Sequence, residues 1–371
     1  MPALRKGTRR DRRTESPKEG WTMRLNHIYL ESLGVRLGRR LDLADAVADG
    51  RYPSGEYTAN GLLGVTVSDD AFAPDLAVDA VRQALERGAT DPSGLRLLLH
   101  ASTYFQGQDV WTPASYIQNE TVKGSAPAIE VDQKSNGGLA ALSLAASHLA
   151  GCDEDARVMI TTGERFCLPG FDRFRTESGT VMADGGTALV LSRQPGFAQV
   201  KSCVLLSDPS LEGMYRGRGL KDAPAPGTKP LNMRGRKADF MRRHLADLEL
   251  ISLRIAEGIG SCVEQALEEA KTDIDHVRRF VMPNNGQTAR WWSMLADKGV
   301  TLDRTTWEFG RGISHLGAGD QVAGLNHLLT TGRLAAGDKI VIAGTGYGFN
   351  WGAAVVEILH VPEWATTTAT P

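Results

Sequence analysis

Short apolar strands alternate with helices along this 371-residue chain, and this alternation constrains the fold more than any other feature. The stretch "DLAVDAVRQALERGATDPSGLRLLLHAS" predicts a helix, a turn and a buried strand that ends near His100, and "RVMITTGE", "GTALVLSR" and "AQVKSCVLLS" predict further strands. After a loop over residues 208–239 the alternation begins again with a long helix over residues 241–270. We therefore expect an α/β protein with helix-covered sheets, built from two similar halves that share no sequence identity.

The chain divides into four segments in this interpretation. Residues 1–22 form a basic, disordered extension without an apolar core, so they are not a secretory signal, and Met23 is an alternative start. Residues 23–200 form the N-terminal half, which opens with a strand pair in "MRLNHIYLESLGVRLG", residues 201–363 form the C-terminal half, and residues 364–371 are a tail. The basic extension could also serve as a nucleic-acid-binding arm, although nothing else in the chain supports that function.

Composition narrows the function class further. The formal net charge is -2, with 23% charged and 42% hydrophobic residues, which gives no electrostatic argument for nucleic acid or anionic membranes as partners. No run of about 18 apolar residues predicts a membrane span. The cysteines show neither CxxC pairing nor metal-ligand spacing, so we expect no metal site, no disulfide scaffold and a cytoplasmic location. They are Cys152, Cys167, Cys203 and Cys262.

Ser135 stands at the junction of a strand and a buried helix, in "VDQKSNGGLAALSLAASHLAG". One interpretation is a plain helix N-cap, a position that serine favours. The other is a nucleophile at a helix N-terminus, where free N–H groups and positive potential are available. That potential alone does not ionise a hydroxyl, so a catalytic Ser135 requires a general base.

Three further motifs carry candidate residues. The glycine-rich "GTGYGFNWGAA" joins two predicted strands, which argues against a dinucleotide fingerprint and leaves either a tight hairpin or a close backbone approach to substrate. "GRGISHLGAGDQ" places His315 five residues before Asp320. "VMPNNGQ" places Asn284 at a strand end, where asparagine commonly makes turns.

These motifs, in this order, resemble those of the β-ketoacyl-acyl-carrier-protein synthase III family, which has the thiolase fold. The resemblance covers about residues 23–360. "QKSNGGLAAL" and "ADGGTALVL" correspond to the family's nucleophile and its "GDGAGA"-like turn, while "VMPNNGQ", "SHLGAGD" and "GTGYGFNWGA" correspond to "VPHQAN", "GNTSAAS" and "GFGGGLTWGA". The resemblance implies two similar βαβαβαββ halves in an α-β-α-β-α layered arrangement.

The chain departs from the family pattern at the residues expected to carry out the reaction. Ser135 stands where the family has its cysteine, Asn284 where it has histidine, and His315 where it has asparagine, while Asp320 is an additional acid. The combination resembles a branch found in aromatic polyketide and glycoside antibiotic pathways, and the serine resembles that of propionyl starter-unit enzymes of daunorubicin-type synthesis. Replacement of a native cysteine by engineering is an alternative origin of the serine.

The resemblance implies roles for individual residues. His315 would take the Ser135 proton while Asp320 holds the histidine tautomer, as in a Ser-His-Asp triad. The N–H groups of Ser135 and Tyr347 would form the oxyanion hole, and Asn284 would donate to an acyl carbonyl. Further substrate-binding residues are expected at Arg290, Gly346 and Gly348, and the basic loop could meet a phosphopantetheine phosphate or an acidic carrier protein.

The function expected from these residues is an acyltransferase of the ketosynthase III type. It would load a short acyl group, propionyl, from acyl-CoA onto Ser135 and prime type II aromatic polyketide synthesis by condensation with malonyl-acyl carrier protein. The alternative is an O- or N-acyltransferase that moves the acyl group to a sugar or amine in antibiotic biosynthesis; a third hypothesis is an inactive partner subunit. We expect a homodimer, acyl-CoA and acyl carrier protein as partners, and no cofactor.

Overall fold

The computed structural model describes residues 25, 27–217, 230–289 and 291–367. The predicted basic extension, part of the predicted basic loop and Arg290 therefore lie outside the described residues. The predicted tail begins inside a short helix that ends at Thr367.

Among the described residues, nine strands form one mixed sheet in the order β5-β4-β6-β7-β1-β8-β11-β10-β9, and β2 and β3 form a separate pair. The halves meet where β1 pairs with β8 through two residue pairs, Tyr29 with Gln199 and Leu30 with Ala198. The strands are β1 (Tyr29–Leu37), β2 (Arg39–Asp42), β3 (Gly64–Val67), β4 (Leu95–Ala101), β5 (Ala128–Val131), β6 (Arg157–Glu164), β7 (Gly185–Ser192), β8 (Ala198–Ser207), β9 (Val277–Val281), β10 (Lys339–Gly346) and β11 (Asn350–Ile358).

The described residues also contain α-helices. They are α1 (Leu43–Ala48), α2 (Ser54–Asn60), α3 (Ala73–Gly88), α4 (Pro113–Glu120), α5 (Gly137–Leu149), α6 (Gly213–Arg216), α7 (Met233–Arg243), α8 (Leu248–Glu269), α9 (Trp291–Asp297), α10 (Trp307–Ile313), α11 (Asp320–Thr330) and α12 (Glu363–Thr367). Within the described ranges, none of these helices combines the length and the apolar character that a membrane crossing requires.

The layered arrangement expected from the sequence is confirmed. Helices α5 and α11 share one buried cluster with strand residues of both halves, including Ile160 from β6 and Ile342 from β10. Helix α3 packs on the outer side of the N-terminal strands, and α8 packs on the outer side of the C-terminal strands. The order of layers is therefore α-β-α-β-α, with α5 and α11 in the middle.

Three local predictions were wrong. The first predicted strand pair is one long strand, β1, followed by β2, which pairs with β3 instead. The long helix predicted over residues 241–270 is interrupted between α7 and α8 by a short 3-10 turn at Leu245–Asp247. The described part of the predicted loop over residues 208–239 contains α6 and the start of α7. Asn232 stabilises the start of α7 as its N-cap, where its side chain accepts from the Gly235 N–H at 2.8 Å.

Candidate active site

Ser135 lies in a 3-10 turn, Lys134–Asn136, that connects β5 to α5. The residue at the N-cap position of α5 is Asn136, so the interpretation of Ser135 as the helix N-cap was wrong. The Ser135 hydroxyl instead lies 2.8 Å from Nε2 of His315, and only 5% of the residue is exposed. The turn therefore presents the hydroxyl to a base from the other half of the molecule.

The glycines after Ser135 allow this close approach of the two halves. A Cβ at Gly138 would lie 2.6 Å from the Ala318 carbonyl oxygen, and a Cβ at Gly137 would lie 2.9 Å from the Ala101 Cβ. Such contacts are too short for any side chain larger than hydrogen. The "NGG" sequence thus brings the start of α5 against the loop that carries His315.

Backbone hydrogen bonds fix the position of His315. Its N–H donates to the Val181 carbonyl at 3.0 Å, and its carbonyl accepts from the Ala183 N–H at 2.8 Å. The preceding residue, Ser314, has a φ of 64°, in the left-handed region that non-glycine residues rarely adopt. The Ser314 hydroxyl donates to the Gly64 carbonyl at 2.7 Å, which holds this turn in place.

Asp320 is the first residue of α11, and its buried carboxylate accepts four hydrogen bonds among the described residues. His315 Nδ1 lies 2.5 Å from Oδ2, so the ring nitrogen that faces the acid is distinct from the one that faces Ser135. The remaining three bonds come from backbone and amide donors. They are the Asn284 N–H to Oδ2 at 2.8 Å, the Asn284 Nδ2 to Oδ1 at 2.9 Å and the Leu316 N–H to Oδ1 at 2.8 Å.

The structure assigns Asn284 a different contact from the one expected. Its Nδ2 donates to Asp320 and also to the Ser314 carbonyl at 3.2 Å, so both amide hydrogens face the acid and the histidine loop. In this arrangement the amide has no remaining hydrogen for an acyl carbonyl. The expected donation from Asn284 to substrate is therefore not supported by the geometry.

The acidic groups around His315 favour the protonated form of its ring. Burial alone would lower the pKa of His315, but the charge and hydrogen bond of Asp320, with a further contribution from Glu164, raise it above the usual histidine value. A buried imidazolium next to a carboxylate is the charge pair that forms when serine gives up its proton. The triad thus has the geometry and the charge to activate Ser135.

Glu164 is a second buried acid close to the triad. Burial raises its pKa to about 8, although the hydrogen bonds that it accepts from Thr103 and Ala318 oppose that rise. The Thr103 N–H donates at 2.6 Å and the Ala318 N–H at 3.3 Å, both to Oε1. Glu164 therefore ties the end of β6 to the loop between His315 and Asp320.

A cavity of about 610 Å³ opens onto the triad. Ser135 and His315 line it together with Gly346 and Tyr347, so the glycine-rich turn predicted near the substrate lies beside the nucleophile. A Cβ at Gly346 would lie 2.3 Å from the Gln133 carbonyl oxygen, which explains why this position lacks a side chain. Gly348, with a φ of 140°, belongs to the same turn.

Two residues that shape this cavity could not be recognised from the sequence. Tyr215 and Glu177 both line it, and both come from segments that carried no recognised motif. Glu177 is buried and accepts from Nζ of Lys237 at 3.0 Å. Their contacts join residues far apart in the chain, so no local pattern could have indicated them.

Comparisons with known proteins identify the family of this chain. Residues 267–358 match the family model described as 3-oxoacyl-[acyl-carrier-protein] synthase III C terminal. The solved structure of the acyltransferase ChlB3 is 34% identical, with a TM-score of 0.86, and the alignment covers 91% of this chain and 99% of ChlB3. The chain belongs to the β-ketoacyl-acyl-carrier-protein synthase III family.

More distant family members share the fold. A β-ketoacyl-[acyl-carrier-protein] synthase III from Synechococcus sp. (strain RCC307) is 24% identical over 340 residues, which cover 85% of this chain and 94% of the relative. The structure of 3-oxoacyl-[acyl-carrier-protein] synthase III from Aquifex aeolicus VF5 is 18% identical with a TM-score of 0.72, and the alignment covers 89% of this chain and 99% of that chain. The chain is thus an enzyme of the ketosynthase III and acyltransferase type, with a thiolase-like fold.

Proposed function

We propose that this enzyme takes a short acyl group, propionyl, from acyl-CoA onto Ser135 and passes it to a second substrate in the same cavity. The observation that carries this proposal is the Ser135–His315–Asp320 contact, with its 2.8 Å and 2.5 Å hydrogen bonds. A thiolate nucleophile needs little help at a helix terminus, whereas a serine hydroxyl needs a base, and this chain has one in place.

Loading proceeds in two steps. His315 Nε2 accepts the Ser135 proton as Oγ attacks the thioester carbonyl, and the developing negative charge on the carbonyl oxygen is stabilised by the N–H groups of Ser135 and Tyr347. The intermediate then collapses with cleavage of the carbon–sulfur bond. The CoA thiolate leaves and takes the proton from His315, so acyl-serine, free CoA and neutral histidine remain.

The first candidate acceptor is a malonyl-loaded acyl carrier protein, the substrate of a priming condensation. Loss of CO₂ gives an enolate whose carbon attacks the acyl-serine carbonyl, and the Ser135 oxygen leaves with a proton. The raised pKa of His315 supports this candidate. Loading leaves the ring neutral, so it first takes up a proton from water, and the protonated ring then donates from Nε2 to the malonyl thioester carbonyl. It gives this proton to the leaving Ser135 oxygen, which balances the loss of CO₂. The product would be a β-ketoacyl carrier protein.

The second candidate acceptor is a hydroxyl or amine group, on a sugar or an amine substrate. It is favoured by the position of Asn284, whose amide hydrogens face Asp320 and Ser314 rather than the cavity. A condensing site gains from a second donor on the malonyl carbonyl, whereas direct transfer needs only neutral His315 to deprotonate the incoming nucleophile. The triad is complete for this reaction without Asn284.

A homodimer is part of the proposal. Strand β5 lies at one edge of the nine-stranded sheet, and Ile129 on it is half exposed. Val110 and Trp111, on the segment before α4, are also exposed apolar residues. A strand at the edge of the described sheet, with apolar neighbours, favours pairing with a second copy. Light scattering at low micromolar concentration should give twice the 40.0 kDa chain mass, and a mass near 40.0 kDa would contradict the dimer.

The acceptor is tested by adding candidate second substrates to propionyl-loaded enzyme. Malonyl-loaded carrier protein from an aromatic polyketide system is compared with the same carrier protein bearing only its free phosphopantetheine thiol. Condensation predicts CO₂ release and a β-ketoacyl adduct on the malonyl-loaded carrier protein. Loss of the acyl group to sugar or amine probes without CO₂ release would favour the second candidate, and retention of the acyl group with every acceptor would contradict both.

A further inference from the structure

The turn that joins β10 to β11 carries one large side chain between two glycines. Tyr347 lies between Gly346 and Gly348, and Gly348 has a φ of 140°. Because glycine gives the backbone conformational freedom, such a turn does not by itself hold its N–H groups in one direction. The Tyr347 side chain makes two contacts that supply this restraint.

The ring and the hydroxyl of Tyr347 are held by different neighbours. The ring stacks on Tyr215 of α6, with centroids 3.7 Å apart and an interplanar angle of 22°. Tyr215 also contacts the ring of Phe349, at a centroid distance of 5.7 Å. The Tyr347 hydroxyl donates a long hydrogen bond, 3.4 Å, to Oε2 of Glu177. The side chain is therefore fixed at its face by packing and at its tip by a carboxylate.

Glu177 is anchored independently of the turn. Only 3% of the residue is exposed, and its Oε1 accepts from the Ser178 N–H at 2.7 Å and from Nζ of Lys237, on α7, at 3.0 Å. Its Oε2 is left for the tyrosines. Burial, followed by the charge of Glu177, raises the pKa of both Tyr215 and Tyr347 well above the usual tyrosine value. Both hydroxyls therefore keep their protons and act as donors to the carboxylate.

The restraint matters because the Tyr347 N–H is one of the two proposed oxyanion donors. Among the described residues this N–H donates to no acceptor, and Tyr347 lines the cavity that Ser135 also lines. The Tyr347 carbonyl, by contrast, accepts from Nδ2 of Asn350 at 3.0 Å. A donor stabilises an oxyanion best when it is in position before the charge develops. A side chain fixed by Glu177 keeps the N–H in one position.

We infer that Glu177 is a positioning residue for the oxyanion hole, because it holds the Tyr347 side chain and thereby keeps the Tyr347 N–H directed at the acyl carbonyl. The inference rests on the proposed acylation of Ser135. Glu177 acts here through Tyr347 and makes no contact with the reacting atoms. If its role were confined to the ion pair with Lys237, its loss would lower stability and leave the saturating rate of loading unchanged.

The rate of self-acylation at saturating propionyl-CoA tests this role. Single-turnover loading of wild type and variants is followed over a range of propionyl-CoA concentrations. Glu177→Ala should lower the saturating rate roughly 10- to 100-fold, which is less than the roughly 10²- to 10³-fold loss expected when an oxyanion donor is removed outright. The half-saturating concentration should change little, and Glu177→Gln, which keeps an acceptor oxygen, should recover most of the rate. An unchanged saturating rate in Glu177→Ala, or a defect confined to the half-saturating concentration, would overturn the inference.

Glu56→Ala is the matched control. Glu56 lines the same cavity and pairs with Arg234 on α7. Glu177 likewise pairs with Lys237 on α7, so both changes remove an acid from the cavity wall and leave a basic residue of α7 unpaired. The control should load at nearly the wild-type rate. A loss equal to that of Glu177→Ala would show that the charge of the cavity, not the position of Tyr347, is responsible.

A double variant tests whether Glu177 acts through Tyr347. Glu177→Ala/Tyr347→Phe should load no more slowly than Glu177→Ala, because both changes break the same contact between hydroxyl and carboxylate. Losses that multiply in the double variant would contradict action through Tyr347. Glu177→Leu replaces Glu177→Ala in these measurements if the smaller side chain prevents folding.

A tetrahedral adduct separates failure of this inference from failure of the proposed function. Ethylboronic acid mimics the propionyl group, since Oγ of Ser135 adds to boron, His315 takes the serine proton and a boron-bound oxygen occupies the oxyanion hole. Its dissociation constant should rise in Glu177→Ala by about the factor by which loading slows, and stay near the wild-type value in Glu56→Ala. Equal dissociation constants in wild type and Glu177→Ala, or no boronate binding to wild type, would reject the inference even if Ser135 is acylated. Boronate binding with the expected pattern, without loading by propionyl-CoA, would reject the proposed function alone.

Discussion

The two helices of the middle layer begin alike and present their functional residues differently. Helix α5 follows the 3-10 turn Lys134–Asn136 and α11 follows the 3-10 turn Gly317–Gly319, and these turns pack against each other at the centre of the molecule. Asp320, at the second turn, accepts four hydrogen bonds among the described residues. Ser135, at the first turn, directs its hydroxyl to His315.

This difference indicates which part of the site must stay fixed during the reaction. The acid and base keep one geometry because backbone and amide donors hold them from several directions. In the proposed reaction the nucleophile exchanges its hydrogen bond to His315 for an acyl group and then regains it. The C-terminal half would therefore supply a fixed base, and the N-terminal half the group that is modified.

The largest expected effect comes from removing the base. His315→Ala should slow self-acylation of Ser135 by about 10²- to 10⁴-fold, because among the described residues His315 is the base that contacts the Ser135 hydroxyl. Single-turnover loading with propionyl-CoA measures the rate. Loading at the wild-type rate would show that the helix terminus alone activates the serine and that the two turns do not divide the chemistry as proposed.

Asp320→Asn should slow loading less, on the order of 10²-fold, since the imidazole remains but loses control of its tautomer. It should also move the pH profile. In wild type, loading should rise as pH rises through the elevated pKa of His315, because only the neutral ring accepts the serine proton. Without the Asp320 charge that pKa falls, so the rise should occur at lower pH. A profile that does not move would mean that another group titrates.

Asn284→Ala tests whether the side-chain contacts that hold Asp320 in place matter for loading. The variant removes the amide bonds to Asp320 and Ser314 but keeps the backbone N–H bond to Asp320. We expect a loss of about 1–3 kcal/mol in the free energy of unfolding and a roughly tenfold slower loading step. Thermal melts and single-turnover kinetics measure the two effects. Normal loading with a defect confined to acyl transfer would instead restore the direct role for Asn284 that the sequence indicated.

The smallest expected effect is a change in the pH dependence of stability, and it concerns Glu164. This residue connects the end of β6 to the loop between His315 and Asp320. Its folded-state pKa of about 8 lies above the usual glutamate value of 4.5, so the folded protein binds more protons than the unfolded chain between these values. Stability should therefore fall as pH rises from about 5 to about 8. Glu164→Gln removes this titration and should show a flatter dependence of Tm on pH. Parallel slopes for wild type and variant would mean that Glu164 is ionised throughout.

Much of the fold could be predicted from the sequence because its buried strands are apolar runs bounded by turn residues. Strands β6 and β8 have the bounds that "RVMITTGE" and "AQVKSCVLLS" predicted. The break between α7 and α8 escaped prediction because neither glycine nor proline marks it in "RRHLADLELI". The local sequence pattern indicates that a segment is helical. Where the helix is interrupted depends on how α7 and α8 each pack against the rest of the molecule.

Contacts in the site could be predicted where the two residues lie close together in the sequence. Contacts between residues far apart in the sequence could not. The five-residue spacing indicated that His315 and Asp320 could interact, and the structure places Nδ1 and Oδ2 2.5 Å apart. The contact of Asn284 with Asp320 joins two loops separated by 36 residues, so no pattern indicated it. The sequence around Ser135 was compatible with both a helix N-cap and a nucleophile, and the distance of Ser135 from His315 distinguished the two interpretations.

Acylation of Ser135 is the step on which the proposed function depends, and peptide mapping after treatment with propionyl-CoA measures it. We expect a propionyl adduct on the peptide that contains Ser135, absent from Ser135→Ala and retained on the thiol in Ser135→Cys. The free cysteines, among them the exposed Cys167, provide internal controls in the same digest. An adduct confined to those cysteines, or no adduct on any peptide, would rule out Ser135 as the nucleophile.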